Sequence, residues 1–188
     1  MRNLAIVAGL VLLAAPGLAG AASTHKSTAK SESGATAASA QQKDILSNLA
    51  RDNMKEIALG QLAIQRAASD DVRDFGQRMV NDHSQMLVKL ATYARNHQIK
   101  LPAMLEQKDR QEIEPLAKLS GEQFDRQYMQ AMVQGHSKDV QALDQHMQGS
   151  DQDLNGFLKD TADTVRSHLD QAKQIASAKT GAAPRANR

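Results

Sequence analysis

The chain contains no cysteine and no tryptophan. Without thiols it has no disulfide framework, thiolate metal site, thiol nucleophile or lipid-modified cysteine anchor. Three phenylalanines and two tyrosines are too few for the aromatic platforms on which single-stranded nucleic acid stacks. Glycine (11) and proline (4) are sparse as well, and they fall largely outside the long periodic segments. What is present is a chain of 188 residues rich in Ala, Gln, Asp and Lys. That is the composition of helices, at the length of one domain with tails.

Residues 1–22 read as a secretory signal peptide. Arg2 supplies the positive start, Leu4 to Leu13 is an uncharged apolar run, and Pro16 and Gly17 break it. Ala19-Gly20-Ala21 then provides the small-x-small cleavage pattern. The apolar run is shorter than the ~20 residues of a membrane span, so cleavage near Ala21 is expected. The mature chain is then delivered to the periplasm or secreted, with no membrane span left. Residues 23–40 are Ser, Thr, Ala and Lys without a large apolar side chain, and read as a flexible linker. Residues 179–188 read as a disordered basic tail. The segment between, 41–178, holds 17 Lys and Arg against 20 Asp and Glu. The overall charge of +2 therefore comes from the ends, and no nucleic-acid-binding face is expected.

Four segments of 41–178 carry helical periodicity. The first, about 41–68, places Leu46, Leu49, Asn53, Glu56, Gly60, Ala63 and Ala67 on one face. The second, about 70–97, follows Ser69 as N-cap, with Asp70 and Asp71 in the first turn. Its row is Val72, Gly76, Met79, His83, Met86, Leu90 and Tyr93. The third follows Ser120, with Gln123 positioned to complete a capping box. Its row is Met129, Val133, His136, Val140, Leu143 and Met147. The fourth follows Gly149 and Ser150, a helix stop beside an N-cap. Its row is Leu154, Leu158, Thr161, Val165, His168, Ala172 and Ile175.

The first and last connections are so short that each flanking pair must be an antiparallel hairpin. The middle connection, 98–119, contains Pro102 and Pro115 and is long enough to travel the length of a bundle. The expected fold is all-α: a ferritin-like four-helix bundle, two antiparallel hairpins joined by a long crossover. An up-down-up-down bundle is the alternative.

The rows are interrupted by polar residues near mid-helix: Glu56, His83, His136 and His168, one per helix. In antiparallel hairpins these fall at similar heights, so the four are candidate ligands for one divalent transition metal: zinc, manganese, iron or copper. Gly60, one turn beyond Glu56, is expected to leave room beside it. The other reading is a hydrogen-bonded polar layer that fixes helix register. A di-iron oxidase is disfavoured. That chemistry uses Glu-x-x-His on two helices, and Val80, Val133 and Val165 stand three residues before the histidines. Asp139 is the one plausible additional carboxylate, whereas Asp82, adjoining His83, is expected to point elsewhere. Met79, Met86, Met129 and Met132 read as core filler, or as the soft surroundings of a copper site. His25, His97 and His146 are assigned to solvent or helix ends. No nucleophilic triad, phosphate loop or zincin motif is present. Ile45, Met54, Ile57, Leu62 and Ile64 lie outside the first helix's central row, a surplus that suggests a homodimer or envelope-protein contact.

Four stretches carry a family resemblance. They are Asn53-x-x-Glu56-Ile57-x-Leu59-Gly60-x-Leu62-Ala63, Phe75-x-x-x-Met79-Val80-x-Asp82-His83-Ser84, Phe124-Asp125-x-x-Tyr128-x-x-x-Met132-Val133-x-x-His136, and His168-Leu169. Together they resemble the exported bacterial family catalogued as domain of unknown function 4142, of the ferritin-like superfamily. The resemblance implies a ferritin-like bundle in the cell envelope and supplies no activity. The functional alternatives are a metal-binding bundle and a structural or stress-protective interaction module.

Overall fold

The computed structural model describes residues 39–148 and 152–181, all within one compact unit, residues 35–188. The expected signal peptide, nearly all of the linker, the Gly149-Ser150 stop and the tail beyond Gly181 lie outside the described residues. The described chain is all-α: α1 (Ala40–Arg66), α2 (Asp70–Asn96), α3 (Gln107–Ala117), α4 (Gly121–Met147) and α5 (Gln152–Gly181). No strand occurs among the described residues, and no described helix is long and apolar enough to cross a membrane.

The helix termini are built differently from the sequence expectation in two places. Ser69 and Ser120 occupy the N-cap positions of α2 and α4, but neither side chain makes a capping hydrogen bond. At the α1–α2 turn a carboxylate from another helix intervenes. The two oxygens of Asp125 accept from Ala68 N and Ser69 N, each at 3.0 Å. Asp125 is 1% exposed, so this pair of charge-assisted bonds pins the turn to α4 from inside. The capping box appears instead at α1, where Ser39 Oγ accepts from Gln42 N and Gln42 Oε1 accepts from Ser39 N. At the far end of α2, Ile99 N donates to Ala94 O and Gln98 N to Arg95 O, a Schellman closure with Gln98 at φ 56°.

Helix α3 lies inside the expected crossover, 98–119, which contains Pro102 and Pro115. Pro115 falls within the helix. The helix forms because Glu106 N is satisfied by Asp109 Oδ2 at 2.9 Å and because Leu116, 8% exposed, enters the core. Ion pairs Arg51–Glu106 and Lys55–Glu112, both 3.0 Å, tie it to α1. Exposed pairs contribute about 0–1 kcal/mol each, so the apolar packing of Leu116 and Ile113 holds α3 at least as strongly.

Two apolar clusters occupy the two ends of the helix array. One joins Ile45, Leu46 and Ala50 of α1 to Leu90 and Ala94 of α2, Leu143 of α4, and Leu154 and Leu158 of α5. The other joins Leu59 and Ala63 to Val72, Phe75 and Met79, to Phe124, Tyr128, Met129 and Met132, and to Ala172. Thus the start of α1 meets the ends of α2 and α4 and the start of α5, and the connection containing α3 runs from one cluster to the other. Helix α1 packs mainly on α2, and α4 on α5. The polar mid-helix residues fall between the clusters.

Gly60 does not serve as a space beside Glu56; it is where α1 meets α2. A Cβ there would lie 2.6 Å from Gly76 O and 3.0 Å from Val80 Cγ2, and one at Gly76 would lie 2.6 Å from Ala63 Cβ. Backbone cannot retreat as a side-chain tip can, so the helices must separate. Gly60→Ala is expected to destabilise the fold by about 1–3 kcal/mol, less up to ~1 kcal/mol of helix propensity. Urea unfolding of this variant checks the sign; a midpoint at or above wild type would overturn it. The additional apolar residues of α1 are not left as a bare stripe. Ile45 is 4% exposed, Leu62 packs on the second cluster, and Met54, Ile57 and Ile64 are half-buried.

Candidate metal centre

Between the clusters, α2, α4 and α5 each turn one imidazole inward. His83, His136 and His168 are 5%, 0% and 0% exposed. Their ring centroids lie 5.9, 5.3 and 5.5 Å apart, and one nitrogen from each lies within 4.8 Å of one from each of the others.

The hydrogen bonds decide which nitrogen of each ring is protonated. Asn53 Nδ2 donates to Leu49 O at 2.7 Å, which leaves Asn53 Oδ1 to accept from His83 Nδ1 at 3.1 Å. His136 Nδ1 faces Met132 O at 3.0 Å, and a carbonyl can only accept. His168 Nε2 donates to Asp82 Oδ2 at 2.8 Å. Each ring therefore carries its proton on the bonded nitrogen. The others, His83 Nε2, His136 Nε2 and His168 Nδ1, are buried lone-pair nitrogens without a hydrogen-bond partner. Three such atoms in one protein interior are unusual, because buried polar atoms are ordinarily satisfied.

Protonation cannot relieve the three lone pairs at neutral pH. Burial, then the neighbouring His168 and His136, push His83 well below its ordinary range. Burial lowers His136 against the opposing pull of Asp139 and the Met132 bond. Burial also takes His168 down to about 4 despite its bond to Asp82. At Asp82 burial opposes the charge, but bonds from His168 and Arg78 outweigh it and hold the carboxyl low. The pair is neutral imidazole donating to carboxylate. The same Asp82 accepts from Arg78 Nε at 3.2 Å, and Arg78 donates onward to Ser167 and Gln171 of α5.

Glu56 is brought to the same region but not into the histidine group. It lies with His136 and Asp139, one ligand atom of each within 4.8 Å of the others. Glu56 is 4% exposed and its Oε2 has no hydrogen-bond partner. Burial raises its pKa to about 7, with only Lys55 opposing. Burial together with the charges of Glu56 and Asp52 raises Asp139 to about 6. Glu56, Asp139 and His83 line a cavity of about 360 Å³ with Asp52, Asn53 and residues of α3.

Of the expected ligands, the three histidines thus meet, while Glu56 groups with His136 and Asp139. Asp82, expected to point elsewhere, is the partner of His168, and Asn53 is the partner of His83. The signal for Asp82 was its i+4 spacing from Arg78, which places both on the α5-facing side of α2. Of the other described histidines, His97 stacks on Tyr93 at 4.2 Å and His146 lines the cavity; His25 lies outside the described residues.

Neither the curated proteins nor the solved structures contain a match to this chain. A family model described as "Domain of unknown function (DUF4142)" matches residues 27–175, and the chain belongs to that family.

Proposed function

We propose that this protein is an exported, ferritin-like helical bundle that holds one divalent transition metal at His83, His136 and His168. The ferritin-like reading is supported by the two helix pairs and by the α3 segment running between the two apolar ends. Export rests on the pattern of residues 1–22, and a place in the periplasm or outside the cell follows from it.

One observation carries the metal reading: three buried imidazoles meet with one nitrogen of each within 4.8 Å of the others, and each ring keeps a buried nitrogen without a partner while its opposite nitrogen is held by Asn53, Met132 O or Asp82. Partners on the outer nitrogen fix tautomer and ring orientation, which is the arrangement a metal-binding histidine needs. Imidazole donors suit zinc, copper and iron. A helix-register layer would instead pair its donors and acceptors internally.

Elemental analysis of the purified mature protein tests this. We expect near-stoichiometric metal, or uptake of one zinc per chain after chelator treatment, and loss of both in His83→Ala. Asp82→Asn should retain the fold and weaken zinc binding roughly 10- to 100-fold. Absence of bound metal, with no thermal shift on adding zinc, manganese, iron or copper, would falsify the reading in favour of a structural module.

A further inference from the structure

We propose that Glu56 and Asp139 form a second cation site in the cavity beside the histidine triad, suited to a hard divalent ion such as Mn²⁺ or Mg²⁺. Glu56 comes from α1 and Asp139 from α4. Their carboxylates lie within 4.8 Å of each other and of a His136 nitrogen. The Glu56 side chain is buried and lines the cavity, and its Oε2 has no hydrogen-bond partner.

Two further observations favour a cation over a proton-sharing pair or a salt bridge. Asp52, Asp109 and Glu112 add to Glu56 and Asp139 in the cavity wall. The three cationic side chains there are each already engaged by a carboxylate: Arg51 by Glu106 at 3.0 Å, Lys55 by Glu112 at 3.0 Å and Asp52 at 3.6 Å, and Lys108 by Glu106 at 3.4 Å. The wall therefore keeps an excess of negative charge.

The shared histidine sets the chemistry. His136 Nδ1 is bonded to Met132 O, so Nε2 is its one available lone pair and can serve one ion at a time. If the triad takes it, the second site is left with carboxylate and water oxygens. Oxygen donors select hard ions that keep part of their water shell. A cavity of about 360 Å³ has space for several waters at roughly 30 Å³ each.

The experiment is a two-ion titration of the mature chain. After chelator treatment the protein is saturated with zinc, and Mn²⁺ binding is then followed by electron paramagnetic resonance. Wild type should bind about one further Mn²⁺ per chain. Glu56→Gln and Asp139→Asn, both isosteric and neutral, should each weaken Mn²⁺ binding roughly tenfold or more while zinc uptake persists. His83→Ala with His168→Ala should lose zinc and retain Mn²⁺, with circular dichroism confirming that every variant is folded. The proposal is overturned if zinc-loaded wild type binds no Mn²⁺, or if neither carboxylate variant changes its affinity. It is overturned too if the carboxylate variants lose zinc and no second ion is seen, because Glu56 and Asp139 then complete the first site. Zinc stoichiometry alone judges the triad, so failure of one site is read separately from failure of the other.

Discussion

His136→Leu should leave the metal-free protein as stable as wild type or more so, and should abolish the stabilisation that zinc confers. His136 is wholly buried and its Nε2 is unpartnered. Removing a buried polar atom that lacks a partner relieves a desolvation cost of roughly 1–3 kcal/mol. The bond from Nδ1 to Met132 O is lost, but leucine has similar volume and the Met132 carbonyl lies in the helix, where the backbone N–H four residues on can still satisfy it. Zinc acts oppositely. At a free concentration 100 times its Kd, a ligand that binds only the folded state adds about 2.7 kcal/mol, and a chain with two of the three imidazoles should forgo most of that. Urea unfolding of both proteins, with zinc and with chelator, gives the four free energies. If His136→Leu is destabilised by 1 kcal/mol or more without metal, and zinc shifts neither protein, the layer exists for packing.

Metal-free stability should fall as pH drops from about 6 to 4.5, and neutralising the two carboxylates should make that fall steeper. The histidines are held neutral, with folded pKa values below the ordinary ~6.5 and His168 at about 4. The unfolded chain protonates first as pH falls. Their contribution is therefore complete above about pH 6.5 and is lost as pH falls below it, for His168 down to about 4. Glu56 and Asp139 do the reverse. Their folded pKa values of about 7 and about 6 lie above the unfolded ones, so the folded state binds protons first. Their contribution is complete below about pH 4 and declines as pH rises to about 6–7.

In the shared window the carboxylate slope offsets part of the histidine slope, two groups against three. Glu56→Gln with Asp139→Asn removes the carboxylate slope. The variant should be more stable than wild type at pH 7 without metal, by an amount on the order of 3 kcal/mol if Glu56 dominates. Below about pH 6.5 it should lose up to about 1.4 kcal/mol per pH unit for each histidine in its titration range. Unfolding midpoints from pH 4 to 8 in chelator measure both slopes; parallel curves for the two proteins would sink the assignment. Metal at either site reverses the balance, since an ion keeps carboxylates ionised and imidazoles unprotonated. Loaded protein should therefore be the more acid-sensitive form.

Much of this protein is written locally. Apolar residues at spacings of three and four report which side of a helix faces inward, whatever it packs against. Leu46, Leu90, Leu143 and Leu158 all sit in the core where their rows put them, and so do the three histidines. Helix termini were less legible, because Asp125 reaches the α1–α2 turn from 56 and 57 residues away and takes over what local Ser69 spacing suggested. Helix α3 was hidden by Pro115, whose cost is offset by contacts with α1 and the core that no local window contains.

The sequence by itself determined the all-α class, most of the inward rows and the placing of His83, His136 and His168 at mid-helix, since all three follow from periodicity along one chain segment; the row of α4 missed Phe124, Tyr128 and Met132, which are buried. Only the tertiary structure decided which nitrogen of each ring is free, that Asp82 serves His168 rather than its neighbour His83, and that Glu56 groups with Asp139 and His136. Those outcomes depend on how far each helix is rotated about its own axis against its neighbours. That rotation is set in part by contacts such as Gly60 on Gly76, where two backbones meet because neither carries a Cβ.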